Sequence, residues 1–217
     1  TIFIVLIIIV FIGFGAYRRF VRRRFQGSPR LNATWMKKQI DKGKLIVSAL
    51  YVYPIKSCAG VKLQRATIEP TGFLHDRRFM IVDAKSGRFL TQRRFPKMAL
   101  IHPSIEDSQS KLIINIPSHS SKLKSTSVPL YPQKNGEQMR DVKVWDWKGE
   151  AIDLGDDVAN WISAFLDKEV RLVTQTPHHD RPSSLLLNNP EFGGDSRNLT
   201  SFADGFPFLL TTTPSLR

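Results

Sequence analysis

The chain opens on an unbroken apolar run, TIFIVLIIIVFIGFGAY (1–17), and then changes character. At about 1.5 Å of rise per residue, such a run reaches roughly 25 Å as a helix, close to the span of a bilayer core. Beyond it, short apolar runs alternate with turn residues, a pattern of strands rather than of a helical bundle. LIVSALYVYPI (45–55) predicts a strand ending near Pro54, and FMIVDAKSGRFLT (79–91) predicts a hairpin turning at Lys85, Ser86 and Gly87. KLIINI (111–116) predicts another strand, and VKVWDWKGEAIDLG (142–155) a second hairpin turning around Lys148 and Gly149. One helix is signalled. Asp156 or Asp157 is positioned to cap it after Gly155, and Val158, Trp161, Ile162, Phe165 and Leu166 recur at the spacing of a single apolar face. VRLVTQ (170–175) returns as a strand, a loop rich in Pro, Asn and Gly follows (177–198), and FPFLLTT (206–212) opens a further strand. The expected fold class is mainly β, of the α+β kind. Its expected parts are an anchor (1–17), a basic linker (18–44), a β domain (45–176), and a loop with the start of another module (177–217).

Charge refines this picture. The formal net charge of +13 suggests a phosphate-rich partner. Residues 1–50, however, hold ten basic side chains against the single acid Asp41, leaving 22 basic and 18 acidic groups in the rest. Most of the excess thus lies in residues 1–50, where Arg18, Arg19, Arg22, Arg23 and Arg24 follow the apolar run at once. Basic residues flanking one end of an apolar segment hold that end on the cytosolic side, so the pattern predicts a transmembrane helix with the rest of the chain facing the cytosol. A cleaved signal peptide carries its charges before the apolar run, the reverse of this order. Nucleic-acid binding is disfavoured, because the arginines lack interleaved stacking aromatics in a folded context. Cys58 is the only cysteine, which excludes an internal disulfide and a cysteine zinc cluster within these residues.

Two clusters offer chemistry. In Tyr53-Pro54-Ile55-Lys56-Ser57-Cys58-Ala59-Gly60 a strand ends in a loop presenting an ammonium, a hydroxyl and backbone N–H groups, a set suited to an anion such as phosphate. The plainer readings are a solvated Lys and Ser and a Cys58 that acts as a small buried hydrophobe. In Asp76-Arg77-Arg78-Phe79 neighbouring side chains on a strand face opposite ways, so one Arg can enter a site while the other meets solvent. A guanidinium fork suits phosphate, and Asp76 can pair with either one; the plainer reading is a surface ion pair. His178, His179 and Asp180 superficially resemble a metal site, but adjacent loop residues seldom converge on one ion. No nucleophile elbow and no Gly-rich phosphate loop occurs, and no catalytic or metal-ligating residue is assigned.

In order along the chain, VYPIKSCAG, TGFLHDRRF, TQRRFP, WISAFL and FADGFPFLLTTTPSL together resemble the mitochondrial amidoxime-reducing component and its relatives, from about residue 45 onward. That resemblance implies an N-terminal β-barrel domain followed by a MOSC domain. It also implies a molybdenum-cofactor (molybdopterin) enzyme of the mitochondrial outer membrane, facing the cytosol, that reduces N-hydroxylated substrates with electrons from cytochrome b5 and its reductase. It assigns the pterin phosphate to Lys56, Ser57 and Arg77, with Thr211, Thr212 and Ser215 as further cofactor contacts, and gives His75 and Arg78 no role. The family's molybdenum-binding cysteine lies well downstream in its MOSC domain, and Cys58 matches a different, non-ligating cysteine. The chain is thus expected to be a fragment or a truncated product without the metal-ligand half. Two alternatives stand beside the reductase. One is a MOSC protein of cofactor handling, as in the sulfurases that fuse MOSC to a pyridoxal-phosphate domain, for which the N-terminal anchor leaves no room. The other is a non-catalytic, membrane-tethered binding module.

Overall fold

The computed structural model describes residues 38, 41–42, 46–116, 125–132, 138–183 and 199–211. The expected anchor and most of the basic linker lie outside these residues. Among the described residues no helix is long and apolar enough to cross a membrane.

Eleven strands and one helix order the described part of the chain. Strands β1 (Leu50–Val52) and β2 (Val61–Leu63) pair antiparallel, as do the short β3 (Ile68–Glu69) and β4 (Gly72–Phe73). The central sheet has the order β5-β11-β10-β9, built from β5 (Phe79–Asp83), β9 (Met139–Val144), β10 (Trp147–Asp153) and β11 (Val170–Gln175). Its two open edges are joined by the segment that returns after β5. On one side the Asp83 N–H donates to Arg88 O (2.9 Å) and the Leu90 N–H to Ile81 O (2.9 Å). On the other the Phe89 N–H donates to Lys143 O (3.1 Å) and the Lys143 N–H to Gly87 O (3.0 Å). The sheet therefore closes on itself, although β10 pairs with β11 only over Ala151–Asp153.

Closure explains a burial pattern that simple alternation does not anticipate. In β5, Phe79, Met80, Ile81 and Val82 are all buried. Met80 and Val82 point inward with Val142, Val144, Ala151, Val173, Phe89 and Phe202. Phe79 and Ile81 point outward into a second cluster with Leu172, Ile55 and Leu90. That outer cluster is covered by helix α1 (Asp156–Leu166) through Val158, Ile162 and Leu166. Leu112 and Ile114 of β7 (Lys111–Asn115) and Val128 of β8 (Ser125–Pro129) belong to the same cluster, in a three-stranded sheet with β6 (His102–Glu106). Each such fully buried Val, Leu, Ile or Phe is worth about 1.5–3 kcal/mol relative to an exposed one.

Several local expectations need correction. The second hairpin turns at Trp145 and Asp146, not at Lys148 and Gly149, because Trp147 already pairs with Val144 and Gly149 with Val142. Trp145 takes the left-handed backbone conformation at φ 55° that a tight turn there requires. Gly149 serves the strand instead: a Cβ at that position would lie 2.3 Å from the Trp147 indole that crosses it. Gly155, at φ 92°, is the helix N-cap, and neither Asp156 nor Asp157 makes a side-chain cap; both sit in the first turn, where negative charge complements the helix dipole. The first strand is confined to Leu50–Val52, with exposed irregular chain before it. The described part of FPFLLTT, residues 206–211, forms no strand, and Leu209 and Leu210 are exposed.

Candidate anion-binding site

The loop after β1 and the loop before β5 are clamped together by one buried carboxylate. Asp76 Oδ1 accepts the Tyr53 N–H (2.8 Å), and its other oxygen pairs with the Arg77 guanidinium. In return the Arg77 N–H donates to Tyr53 O (2.8 Å), and the Lys56 N–H to Phe79 O (2.9 Å). Both Ser57 (φ 66°) and Arg77 (φ 46°) sit in the left-handed region, a cost of roughly 1 kcal/mol or more that surrounding bonds must offset. Of the two guanidiniums adjoining Asp76, Arg77 is the one paired, while Arg78 lies over the Tyr131 ring at 4.9 Å.

Lys56 is the centre of what this clamp positions. Its side chain is 5% exposed, it lies 5.1 Å over the Phe89 ring, and its Nζ meets Asp204 Oδ1 at 2.6 Å. Asp204 also accepts the Trp145 indole N–H (3.2 Å). It comes from the segment after Thr200, which is anchored by Phe202 in the barrel interior and by the bond from the Phe202 N–H to Arg77 O (3.0 Å). A third cation, Arg181, is buried beneath that segment and donates to the carbonyls of Ser201 (2.7 Å), Ala203 (2.5 Å) and Asp204 (2.8 Å). Its Nε has no partner among the described residues, nor do the hydroxyls of Thr200 and Ser201.

The electrostatics follow from this crowding. Burial pushes the Lys56 ammonium below its ordinary value; Asp204 opposes that shift, and the charges of Arg181 and Arg77 add to it. Burial likewise works against the charges of Arg77 and Arg181, and in each case Asp204 is the opposing carboxylate. Burial raises the Asp204 carboxyl, but the Lys56 ammonium and the Trp145 indole outweigh it and hold the group below its usual range. Lys56 is thus paired with Asp204 and Arg77 with Asp76, while Arg181 meets backbone carbonyls, and Asp204 is the solvent-facing carboxylate, its side chain 62% exposed against 5% for Lys56. A cationic cluster whose charge is under-compensated is arranged to take an anion.

Lys56 and Arg77 are therefore brought together, with Ser57 half-buried in the same loop. Thr211 is exposed, and among the described residues no hydrogen bond ties it to the cluster; Thr212 and Ser215 lie outside the described residues. Cys58 is buried, and burial pushes its thiol well above the usual range, as the small-hydrophobe reading expects. His179 is a packing residue: its ring lies between Trp147 and Phe202, with Nε2 3.1 Å from Thr200 O. Asp204, Arg181 and Trp145 were not singled out in the sequence. FADGFPF contains Asp204 in plain view, but nothing local shows that it meets a lysine 148 positions earlier.

A closed, mainly antiparallel β barrel flanked by one helix, with a cationic site at the loops around its first strands, defines the class. The family model described as the MOSC N-terminal beta barrel domain matches residues 44–169, and the chain belongs to that family. It is 28% identical over 174 residues to molybdenum cofactor sulfurase of Homo sapiens, covering 80% of this chain and 19% of that protein. With molybdenum cofactor sulfurase of Bombyx mori it shares 36% identity over 145 residues, covering 64% and 17% of the two chains. With mitochondrial amidoxime-reducing component 1 of Mus musculus it shares 29% identity over 174 residues, covering 78% and 48%. The chain thus spans about a fifth of the length of these sulfurases and about half that of the amidoxime-reducing component.

Proposed function

We propose that this barrel supplies half of a molybdenum-cofactor site in a membrane-anchored reductase of N-hydroxylated compounds, with Lys56, Ser57 and Arg77 holding the pterin phosphate. The observation that carries the reading is the buried Lys56 ammonium, paired with Asp204 and lying beside the charges of Arg77 and Arg181. The donor set fits such a group: a phosphate monoester accepts several charge-assisted hydrogen bonds, and this corner of the fold concentrates cations and backbone donors. The unpartnered Arg181 Nε and the Thr200 and Ser201 hydroxyls add donors that the chain itself leaves unused among the described residues.

When bound, the cofactor supplies two-electron transfer to an N–O bond. The chain's own part is to bind and orient. Lys56 provides a compact charge at low exposure, Arg77 a planar fork held by Asp76, and the Phe89 ring keeps water from one side of the ammonium. The apolar run and its five arginines support an anchor that leaves the barrel on the cytosolic side, and the resemblance supports the mitochondrial outer membrane with cytochrome b5 and its reductase as electron donors.

A second reading, in which the domain serves cofactor handling, is favoured by the sulfurase relatives, up to 36% identical. The protein isolated from its own membranes, supplied with NADH, cytochrome b5 and its reductase, should reduce a model amidoxime, and Lys56→Ala should remove that activity. Bound molybdenum without any amidoxime reduction would favour handling instead.

A further inference from the structure

Asp204 is out of place in a site built to receive an anion. It lies in direct contact with the ammonium that such an anion needs, at 2.6 Å, and Arg77, Arg181 and Arg93 all act on its charge or are acted on by it. The two partners are unequal. Lys56 is fixed and buried against Phe89, whereas the Asp204 side chain is 62% exposed and among the described residues is held otherwise only by the Trp145 indole, itself 41% exposed. The buried ammonium needs a counter-charge, whereas the exposed carboxylate regains its hydration when it leaves. The backbone is anchored independently of the carboxylate: Phe202 fills the barrel, and Arg181 binds the carbonyls of Ser201, Ala203 and Asp204. The carboxylate can therefore leave while its chain segment stays in place.

We propose that Asp204 is a displaceable counter-ion: it neutralises Lys56 while no ligand is present, and an incoming phosphate group takes its position and releases it to solvent. This rests on the reading of Lys56, Arg77 and Arg181 as an anion site. The device sets a threshold of affinity and selectivity. A monovalent anion gains little by replacing a carboxylate of equal charge, whereas a phosphate group near charge −2 replaces one negative charge with nearly two and offers more acceptor oxygens. Lys56 need not stand buried and uncompensated before the ligand arrives, a state that costs several kcal/mol for an isolated ion.

Inorganic phosphate is the probe, titrated by calorimetry and by ¹⁵N NMR into the full chain in detergent micelles. The Trp145 indole N–H resonance, assigned by its loss in Trp145→Phe, should move upfield as phosphate saturates, because its carboxylate acceptor departs. In Asp204→Asn that resonance should already sit near the saturated position, and phosphate should bind about tenfold more tightly, a typical size for removing a close like charge from a partly exposed site. Trp145→Phe, which loosens Asp204 without changing any charge, should tighten phosphate binding about twofold. Lys56→Ala should abolish binding in every background. Phosphate binding that leaves the Trp145 resonance unmoved, with Lys56→Ala still abolishing it, overturns the displacement while the anion site stands. Equal binding in wild type and Lys56→Ala, or none in either, overturns both.

Discussion

Removing the Asp76 carboxylate should uncouple the two loops that form the site, and its effect can be sized from the contacts. Asp76 accepts a backbone N–H from Tyr53 at 2.8 Å and pairs with Arg77, with 1% of its side chain exposed. A hydrogen bond to a charged acceptor is worth about 1.5–3 kcal/mol, and breaking a buried ion pair from one side about 3–5 kcal/mol. The Arg77 side chain is 21% exposed, so water recovers part of its solvation and the lower end applies. Asp76→Ala should therefore lose about 3 kcal/mol. Asp76→Asn keeps an acceptor for the Tyr53 N–H and should lose about 1–2 kcal/mol. With a urea slope of about 2 kcal/mol/M, the unfolding midpoint should fall by about 1.5 M for the alanine and 0.5–1 M for the asparagine. An alanine shift under about 0.3 M, or an asparagine shift equal to it, would refute the clamp.

Phe202→Ala opens a cavity in the barrel interior and should lose about 3–5 kcal/mol, lowering the melting temperature by roughly 10 °C; an unchanged melt would mean that the segment after Thr200 does not fill the barrel. Gly87→Ala should cost more than about 3 kcal/mol, since Gly87 sits at φ 65° and an added Cβ would meet Asp141 O, beside the bonds that close the sheet. Calorimetry would show it, and a near-native melt would contradict the closure. Asp153 gives a pH signature. Burial raises its carboxyl, but the bonds from Arg171, Arg140 and the Gly155 N–H outweigh that and hold it below its ordinary value. Its contribution is therefore complete above the unfolded value of about 3.9 and is lost as pH falls through the folded one. The stability gap between wild type and Asp153→Asn should be constant above about pH 5 and shrink on acidification, and a gap that stays constant to about pH 2 would contradict the assignment.

The elements that periodicity carries were legible in the sequence: β11 coincides with VRLVTQ, and the helix buries Val158, Ile162 and Leu166 on the expected face. Legibility fails where conformation is imposed from outside the segment. Trp145 and Asp146 carry no Gly or Asn signal, and Trp145 turns the hairpin with its indole bonded to Asp204. The complete burial of Phe79–Val82 reflects a barrel wall with a core on each side, which alternation alone cannot encode. FPFLLTT has the composition of a strand, yet residues 206–211 pair with nothing among the described residues. In the site, Lys56 and one arginine of the Arg77–Arg78 pair could be named from local chemistry, with the choice of Arg77 coming from the family resemblance, whereas Asp204 and Arg181 could not. Their meaning arises only when residues far apart in sequence meet, as Lys56 and Asp204 do.

The most direct test is the molybdenum content of the protein isolated from its native source, set against Lys56→Ala and Arg77→Ala purified in the same way. The account predicts bound molybdenum in the wild type and a large loss in both variants, with Lys148→Ala, an exposed cation on the barrel wall, retaining it. Equal molybdenum in all four proteins would contradict the assignment of the pterin phosphate to this cluster.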